Sequence, residues 1–447
     1  MNMVRSRNVW NVLICCSRND YSTTHQHAVA SKRRADALEK EAPAKIARGA
    51  SNATIHPFFT SPQASKKFNI SWEGSNDSIL SAVTRESDDT RTKIAAFDLD
   101  GTLILTASGR TFAKDENDWK WLSASVPKKL ESLHKDGYAI AILSNQNGLN
   151  SASKVTAFKR KLATILSQLS ISVRLIAAMK KDINRKPATG MWELLQKSVN
   201  GKIDLGESFY IGDAAGRAEG WKVKAKKDHS CGDRKFADNI GIQFQTPEEF
   251  FFNESPVKFS WGGFDPKKAT TEGPVCSPAD TPLVPEDGHQ EVIVFVGYPA
   301  SGKSTFAHKH LVPKGYAYIN QDTLKTREKC IAACRAALAE GKSVVIDNTN
   351  AERYTREYYI KAAKDRNAKI RCFWFTASRE LAEHNNSYRA YNATEGGREL
   401  LSRMVFQMFS SKLQEPSISE GFEEIKKIHF ILDGSEEERK KWQQWWS

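Results

Sequence analysis

The sequence predicts an α/β protein in which two doubly wound parallel-sheet domains follow a disordered basic tail. Two stretches of the chain, beginning at Lys93 and at Glu291, alternate short apolar strands with segments of helical periodicity. Such alternation is typical of parallel sheets with helices on both faces. A stretch rich in proline and glycine separates the two, and 447 residues fit roughly two or three domains. We therefore expect a tail at 1–66, a first domain at 67–254, a linker at 255–290 and a second domain at 291–447.

The individual elements follow from the apolar runs and from the residues that break them. In the first domain we predict strands at 93–98, 139–143, 173–177 and 208–212, and helices at 127–136, 153–170 and 187–199. In the second domain we predict strands near 291–296, 316–319, 343–347, 369–375 and 425–432, with helices between them. The prolines and glycines of 254–290 predict a linker or a wrap along the surface.

Composition restricts the class of protein. The net charge of +13 favours a polyanionic partner, because basic side chains release the counterions around phosphates. A basic surface without a partner is an equally good interpretation of charge alone. No stretch approaches the roughly 20 apolar residues of a membrane-spanning helix. Seven cysteines without paired CxxC units predict a reducing compartment, with no disulfide framework and no zinc site.

The tail carries signals for location and partners. The basic run 32–34, with Lys45 and Arg48 downstream, predicts nuclear import. The first nineteen residues contain three arginines and no acid, so a mitochondrial presequence is the alternative.

A second feature of the tail is a short aromatic peptide. The segment 52–59 resembles a degenerate sliding-clamp-binding peptide, with Ile55, Phe58 and Phe59 as anchors. A strap that packs on the protein body is the alternative interpretation of these three residues.

The first predicted strand ends in a pair of acids. Asp98 and Asp100 are spaced by two residues, so in an extended segment their side chains point the same way. They follow the carboxyl end of a strand, where open α/β sheets bind ligands. Ser144, Lys186 and Asp213 follow in order, after a strand, at the start of a helix and after a further strand. Together they supply a nucleophile pair, a hydroxyl, a lysine and a further acid.

This order resembles the haloacid-dehalogenase superfamily over about residues 93–253. A phosphate monoester is a dianion, so attack by a carboxylate requires a cation, and the oxygen ligands of Asp98 and Asp213 predict Mg²⁺. The resemblance implies that the backbone carbonyl of Asp100 is a further metal ligand. It also implies that Asp98 attacks phosphorus and that Asp100 protonates the leaving oxygen and then activates water. Ser144 and Lys186 would hold the phosphate oxygens.

The spacing of these residues predicts an open site. The intervals from Asp98 to Ser144 and from Lys186 to Asp213 leave no room for a large cap domain. A site without a cap admits the end of a macromolecule. The tryptophans of segment 108–121 either flank such a substrate or belong to the core.

The second domain begins with a phosphate-binding loop. A strand at 292–296 runs into the letters GYPASGKST and then into a helix, which is the GxxxxGKS pattern in its required context. The pattern predicts ATP binding, with Lys303 on the outer phosphates and Ser304 on Mg²⁺. The predicted cofactor-binding residues are Gly297, Ser301, Gly302, Lys303, Ser304, Thr305 and Arg389.

Other residues of this domain suggest a phosphoryl acceptor site. Asp322 follows the second strand and is the predicted base for an acceptor hydroxyl. Asp347 ends the third strand and is predicted to position metal or water. Arg389 or Arg379 would lie on a lid over the transferred phosphoryl group, and the alternative for both is an ordinary helix surface.

The combination resembles the family of eukaryotic polynucleotide kinase 3′-phosphatases over about residues 68–447. Specific stretches are AAFDLDGTLI, YIGDAAGRAEGW, GYPASGKST and VVIDNTNAERYTR. The resemblance implies that the protein acts at DNA strand breaks, where it removes 3′-phosphates and adds 5′-phosphates. Two features depart from the family: the first 66 residues are too short and polar for a forkhead-associated domain, and Ser144 stands where the family has threonine.

Three other functions fit the same motifs. Both domains could heal RNA ends, although no ligase motif stands out. The protein could be a scaffold with decayed sites, but every expected catalytic position is filled. A small-molecule kinase is disfavoured by the open phosphatase site and by the charge.

Overall fold

The computed structural model describes residues 68–74, 76–84, 90–269, 272–392 and 399–447. These residues form two large sheets, one from each half of the chain, and a small hairpin. The predicted tail, with its nuclear signal, its alternative presequence and the clamp residues Ile55, Phe58 and Phe59, lies outside the described residues.

The first sheet has seven strands in the order β1-β2-β7-β6-β3-β8-β9, and β4 pairs with β5 in the hairpin. The strands are β1 (Ile70–Glu73), β2 (Ile79–Thr84), β3 (Ile94–Phe97), β4 (Ile104–Leu105), β5 (Lys120–Trp121), β6 (Ala139–Asn145), β7 (Val173–Ala178), β8 (Phe209–Ile211) and β9 (Gln243–Gln245). The helices are α1 (Val126–Lys135), α2 (Ala152–Leu166), α3 (Gly190–Lys197), α4 (Gly232–Ile240) and α5 (Pro247–Phe252).

Helices cover both faces of this sheet. On one face Leu130 of α1 and Leu162 of α2 pack against Phe97 and Ile142. On the other face the side chains of α3 and α4 pack against the opposite sides of the same strands. Different residues of each strand line the two faces, because successive side chains of a strand point to opposite sides of the sheet. The predicted doubly wound class is confirmed.

One edge of the sheet differs from the prediction. The five strands β3, β6, β7, β8 and β9 are parallel, but β2 is antiparallel to β7 and β1 is antiparallel to β2. These two edge strands precede the alternating run from which the sheet was predicted. An antiparallel edge needs no crossover helix, so the strand–helix alternation contains no signal for it.

The third helix begins later than predicted. The expected start was at residue 187, whereas α3 begins at Gly190. The Ala188 N–H donates to Arg185 O and the Gly190 N–H donates to Ile183 O, so residues 183–190 form a turn. Lys186 therefore projects from a loop.

The second sheet has six strands in the order β10-β15-β14-β11-β13-β12. They are β10 (Cys276–Ser277), β11 (Glu291–Val296), β12 (Ala317–Ile319), β13 (Val344–Ile346), β14 (Lys369–Phe375) and β15 (Glu424–Ile428). The helices are α6 (Lys303–Phe306), α7 (Gln321–Leu324), α8 (Arg327–Ala339), α9 (Arg353–Lys364), α10 (Arg379–Tyr391), α11 (Arg403–Lys412) and α12 (Glu436–Trp442). A π-helical turn (Ala307–Leu311) and a 3-10 turn (Val312–Lys314) continue α6.

Part of the predicted linker belongs to this sheet. β10 pairs antiparallel with β15, so residues 276–277 extend the sheet at one edge. Lys426 is fully buried, and its ammonium group donates to the carbonyls of Pro278 and Thr281 at 2.9 Å each. This buried amine fastens the preceding proline-rich stretch to the second domain.

In the part of the chain that the structure describes, no helix is both long and apolar enough to cross a bilayer.

A buried ion pair at the second sheet allows a stability prediction. Glu291 is fully buried, and Arg371 donates to both of its oxygens at 2.6 and 2.7 Å. The variant Arg371→Met would leave this carboxylate buried without its cation. We expect the free energy of unfolding to fall by about 3–5 kcal/mol.

The measurement is urea unfolding, with amide hydrogen exchange in β11 and β14 to identify the second sheet. The control is Lys440→Met, which removes an exposed pair with Glu436 and should have little effect. An unchanged unfolding midpoint for Arg371→Met would show that the pair contributes nothing.

Candidate active sites

The first candidate site lies at the carboxyl end of the parallel strands of the first sheet. Asp98 follows β3, Ser144 belongs to the end of β6, and Asp213 is the second residue after β8. Lys186 reaches the same place from its loop, and its ammonium lies 2.7 Å from Asp98 Oδ1. The fold therefore brings these four predicted residues to one edge of the sheet.

Lys186 is held by a full set of partners. Its ammonium group contacts Asp98, Asp233 Oδ1 at 2.8 Å and the Tyr210 hydroxyl at 2.6 Å. These account for all three of its donors. Asn145 holds the backbone of the same residue, because its side chain accepts from the Lys186 N–H and donates to the Lys186 carbonyl. The lysine is thus fixed at both ends.

Asp233 is a site residue that the sequence analysis missed. It lies in the first turn of α4, and its carboxylate accepts from the Ala214 N–H at 3.0 Å. One oxygen each from Asp98, Asp213 and Asp233 lie within 4.8 Å of one another. Asp233 lies in the first turn of a helix and follows no predicted strand, so the strand pattern gives no signal for it. Its sequence signal is its place in the stretch DHSCGDRKFADNIG, which resembles the polynucleotide kinase 3′-phosphatases.

Two glycines make this crowding possible. A Cβ atom on Gly101, whose φ is +83°, would lie 2.6 Å from Asp213 Oδ2. A Cβ atom on Gly212 would lie 2.4 Å from Asp233 Oδ2. Both positions therefore require glycine so that the carboxylates can approach the strand ends.

The electrostatics of the cluster favour a cation. Burial, together with the neighbouring acids, raises the pKa of Asp98 to about 6 despite the attraction of Lys186. Burial and the carboxylates of Asp233 and Asp98 raise the pKa of Asp213 well above its ordinary value. Burial alone would lower the pKa of Lys186, but the two acids outweigh it and raise that pKa.

Two buried carboxylates, Asp98 and Asp233, and the partly buried Asp213 therefore surround a single ammonium group. A hard divalent cation with oxygen ligands would relieve the excess negative charge, so the residues present fit Mg²⁺. Each of the three acids offers an oxygen to such an ion.

Asp100 occupies a different position from the buried acids. Its side chain is half exposed and contacts Lys161 Nζ at 3.1 Å and Gln146 Nε2 at 2.6 Å. Gln146 also donates to the Ser144 hydroxyl at 3.0 Å. The Asp100 side chain thus lies on the exposed side of the site, apart from the clustered carboxylates of Asp98, Asp213 and Asp233.

The tryptophans of segment 108–121 pack on the core. Trp119 and Trp121 contact each other edge to face at 5.7 Å and lie against the first hydrophobic core. The Trp121 ring N–H donates to Gln168 at 2.7 Å. Of the two interpretations of these residues, the structure therefore supports the core.

The second candidate site lies at the end of β11. A Cβ atom on Gly297 would lie 2.7 Å from the Phe375 Cβ, and Gly302 has a φ of +93°. Lys303 folds back over the loop, where its ammonium donates to the carbonyls of Gly297 and Tyr298. A buried ammonium enclosed by a glycine-containing loop fits the anionic phosphates of ATP.

A hydroxyl and an acid lie next to this loop. The Ser304 hydroxyl donates to Asp347 Oδ2 at 2.5 Å, and the Tyr318 hydroxyl donates to the same oxygen at 2.5 Å. Asp347 is 2% exposed, so its carboxylate is shielded from water beside the loop. Ser304 and Asp347 are hard oxygen ligands that fit a magnesium ion bound with the nucleotide.

The Asn320 side chain links the backbone of Asp322 to the backbone of Asp347. Asn320 accepts from the Asp322 N–H at 2.8 Å and donates to the Asp347 carbonyl at 2.7 Å. Asn348 accepts from the Gln321 N–H at 2.8 Å. The exposed carboxylate of Asp322 thus stands at the start of α7, where Asn320 links its backbone to that of Asp347.

The two lid arginines differ in their surroundings. Arg379 contacts Glu383 at 2.8 Å and Gln407 at 2.6 Å. Arg389 donates to Asn386 at 3.1 Å. Both lie on α10, whose Asn385 donates to the loop carbonyl of Ala300 at 3.2 Å. The helix touches the loop, while the contacts of Arg379 are those of a helix surface.

Comparisons with known proteins follow the division into two sites. Residues 93–251 match the family model described as polynucleotide kinase 3 phosphatase, and residues 292–416 match the model described as AAA domain. A bifunctional polynucleotide phosphatase/kinase of Schizosaccharomyces pombe is 43% identical over 339 residues, which are 76% of this chain and 80% of that protein. A polynucleotide 3′-phosphatase of Saccharomyces cerevisiae is 28% identical over 214 residues, with 35% of this chain and 87% of that protein covered.

The charge of the first site generates a prediction about metal binding. In wild-type protein Mg²⁺ should raise the thermal unfolding temperature, because a ligand that binds only the folded state stabilises it. In Asp213→Asn one buried acid is removed. We expect that variant to melt higher than wild type in EDTA at pH 8 and to gain almost nothing from Mg²⁺.

Calorimetric scans of both proteins, with and without Mg²⁺, measure the effect. Glu219→Gln, at an exposed position, is the matched control and should respond to Mg²⁺ as wild type does. A normal Mg²⁺ response of Asp213→Asn would remove Asp213 from the metal site.

Proposed function

The chain belongs to the family of bifunctional polynucleotide phosphatase/kinases, and on this premise we propose that it repairs DNA strand breaks by hydrolysing 3′-phosphates and phosphorylating 5′-hydroxyls with ATP. The observation that carries the proposal is the presence of two complete sites on one chain. Lys186 with its acids forms the first, and Lys303 with Ser304 and Asp347 forms the second. The net charge of +13 supports a nucleic-acid substrate.

In the phosphatase reaction we assign Asp98 as the nucleophile. Its carboxylate attacks the phosphorus of the 3′-phosphate and forms an aspartyl-phosphate. Lys186, by giving up one of its present contacts, and Ser144 would bind the phosphate oxygens and offset their growing charge. Asp100, on the exposed side of the site, protonates the leaving 3′-oxygen and then takes a proton from the water that hydrolyses the intermediate. Asp98, Asp213 and the Asp100 carbonyl would hold Mg²⁺, which would neutralise part of this negative charge.

In the kinase reaction Asp322 takes the proton from the 5′-hydroxyl. Asn320 links the backbone of this base to that of Asp347, so that the acceptor and the nucleotide meet in one orientation. Lys303 binds the outer phosphates, and Ser304 with Asp347 would hold the magnesium ion that accompanies ATP. Arg389, on the helix that touches the loop, is the residue we assign to the transferred phosphoryl group.

RNA ends are the second candidate substrate. The two substrates are separated by incubating matched nicked DNA and RNA duplexes, each with a 3′-phosphate and a 5′-hydroxyl, with ATP and Mg²⁺. We expect both ends of the DNA to be converted faster than those of the RNA.

We also propose a nuclear location, on the basis of the basic run 32–34, and a sliding-clamp contact through Ile55, Phe58 and Phe59.

The two activities should separate by mutation. Asp98→Ala removes the nucleophile, so 3′-phosphatase turnover should fall by about 10³-fold or more while kinase activity persists. Lys303→Ala should abolish 5′-phosphorylation and spare the phosphatase. End-labelled strands, one for each activity, measure the rates, and thermal unfolding shows that each variant is folded. Loss of both activities in a folded Asp98→Ala would contradict two independent sites.

The role of Asp322 has a separate kinetic signature. Asp322→Asn retains the shape of the side chain but cannot accept a proton, so kinase kcat should fall by about 100-fold or more. The dissociation constant for ATP should hardly change, because Asp322 lies outside the loop. Steady-state kinetics and calorimetry with ATP measure the two quantities. Weakened ATP binding with normal kcat would make Asp322 a nucleotide contact instead.

A further inference from the structure

The last six residues of the chain form a buried tryptophan segment, Trp442–Ser447. Trp442 is 1% exposed, and Trp445 and Trp446 are each 3% exposed. The segment contacts both catalytic domains.

The segment reaches the phosphatase site through Asn239. This side chain accepts from the Trp445 N–H at 2.7 Å and donates to the Trp445 carbonyl at 2.8 Å. It also donates at 2.9 Å to the carbonyl of Pro187, the residue after Lys186. Asn239 therefore joins the segment to the loop that carries the catalytic lysine.

The contact with Asn239 also fixes α4, the helix that carries Asp233. Asn239 and Asp233 both lie on α4, and Asp233 contacts Lys186 at 2.8 Å. Trp445 stacks on Trp261 with ring centroids 5.0 Å apart, and its ring N–H donates to Asp238 at 2.5 Å. Movement of the segment would thus displace both the lysine loop and its acid.

The segment reaches the kinase site through Asn385. The Trp442 ring N–H donates to Asn385 Oδ1 at 2.8 Å, and Asn385 donates to the Ala300 carbonyl at 3.2 Å. Ala300 lies within the phosphate-binding loop and has a φ of +59°. Few residues other than glycine adopt this conformation, so a neighbour must hold it. His384 Nε2 fixes the segment itself, at 2.8 Å from the Trp442 carbonyl.

We propose that the tryptophan segment positions both active sites, the Lys186 loop through Asn239 and the phosphate-binding loop through Asn385. The proposal rests on the functions assigned above to the two sites. It assigns neither asparagine a contact with substrate. Each acts through a carbonyl of the loop that carries a catalytic lysine.

Two variants, Asn239→Asp and Trp442→Phe, test the two arms. Asn239→Asp keeps the acceptor for the Trp445 N–H but loses the donated bonds to Pro187 and Trp445. Trp442→Phe keeps an aromatic ring but loses the donor to Asn385. Because small displacements of catalytic groups can cost up to about 100-fold in rate, we expect each variant to lower one kcat by about tenfold. Asn239→Asp should affect the phosphatase alone, and Trp442→Phe the kinase alone.

The chain offers matched controls for both variants. Asn200→Asp makes the same change as Asn239→Asp at an exposed position between α3 and β8, outside the tryptophan segment. Trp121→Phe removes the same kind of ring N–H outside the segment, where it donates to Gln168 at 2.7 Å. Both controls should keep both values of kcat.

The readouts are kcat and KM for both activities, ATP binding by calorimetry and the thermal unfolding temperature. A selective loss of one kcat at an unfolding temperature equal to that of its control supports the proposal. Normal kcat in both test variants, or a loss of both activities that follows the unfolding temperature, would overturn it and make the segment a packing element. Absence of either activity in the wild type would instead overturn the proposed function.

Discussion

The contact of Lys186 with Asp98 and Asp233 is the interaction on which the phosphatase site depends. Burying these charges costs several kcal/mol for each ion, and only close pairing offsets that cost. The pairing requires a loop, a strand end and a helix to converge on one ammonium group. Their convergence leaves negative charge in excess, which favours a cation, and it places Asp98, the proposed nucleophile, next to the lysine that would bind its phosphate.

The kinase site holds its buried acid in place with a different set of partners. Its acid, Asp347, is buried without a lysine partner in the contacts described and is surrounded by hydroxyl and amide donors instead. Neutral donors hold a carboxylate in place without cancelling its charge, so the charge stays available for a metal ion. Asn320 extends this arrangement to the proposed base. Both sites thus rely on polar side chains that do no chemistry themselves.

Contacts between distant parts of the chain hold the two domains in place. The proline-rich stretch adds β10 to the second sheet, and the end of the chain packs on α4 of the first domain. Trp445 contacts residues more than two hundred positions earlier in the chain. The sites contain separate catalytic residues, but the surfaces that hold their loops are joined, which gives a physical reason for keeping both activities on one chain.

Local patterns in the sequence were enough to identify the two doubly wound domains, the acids Asp98 and Asp213, and the phosphate-binding loop around Lys303. These features depend on strand periodicity and on turns, which are set by neighbouring residues. Only the tertiary structure showed the antiparallel edge, Asp233, and the links through Asn239. Each of these depends on contacts between residues far apart in the chain. A helix-borne acid or a buried asparagine has no distinctive local pattern, because what selects it is the group that folding brings opposite to it.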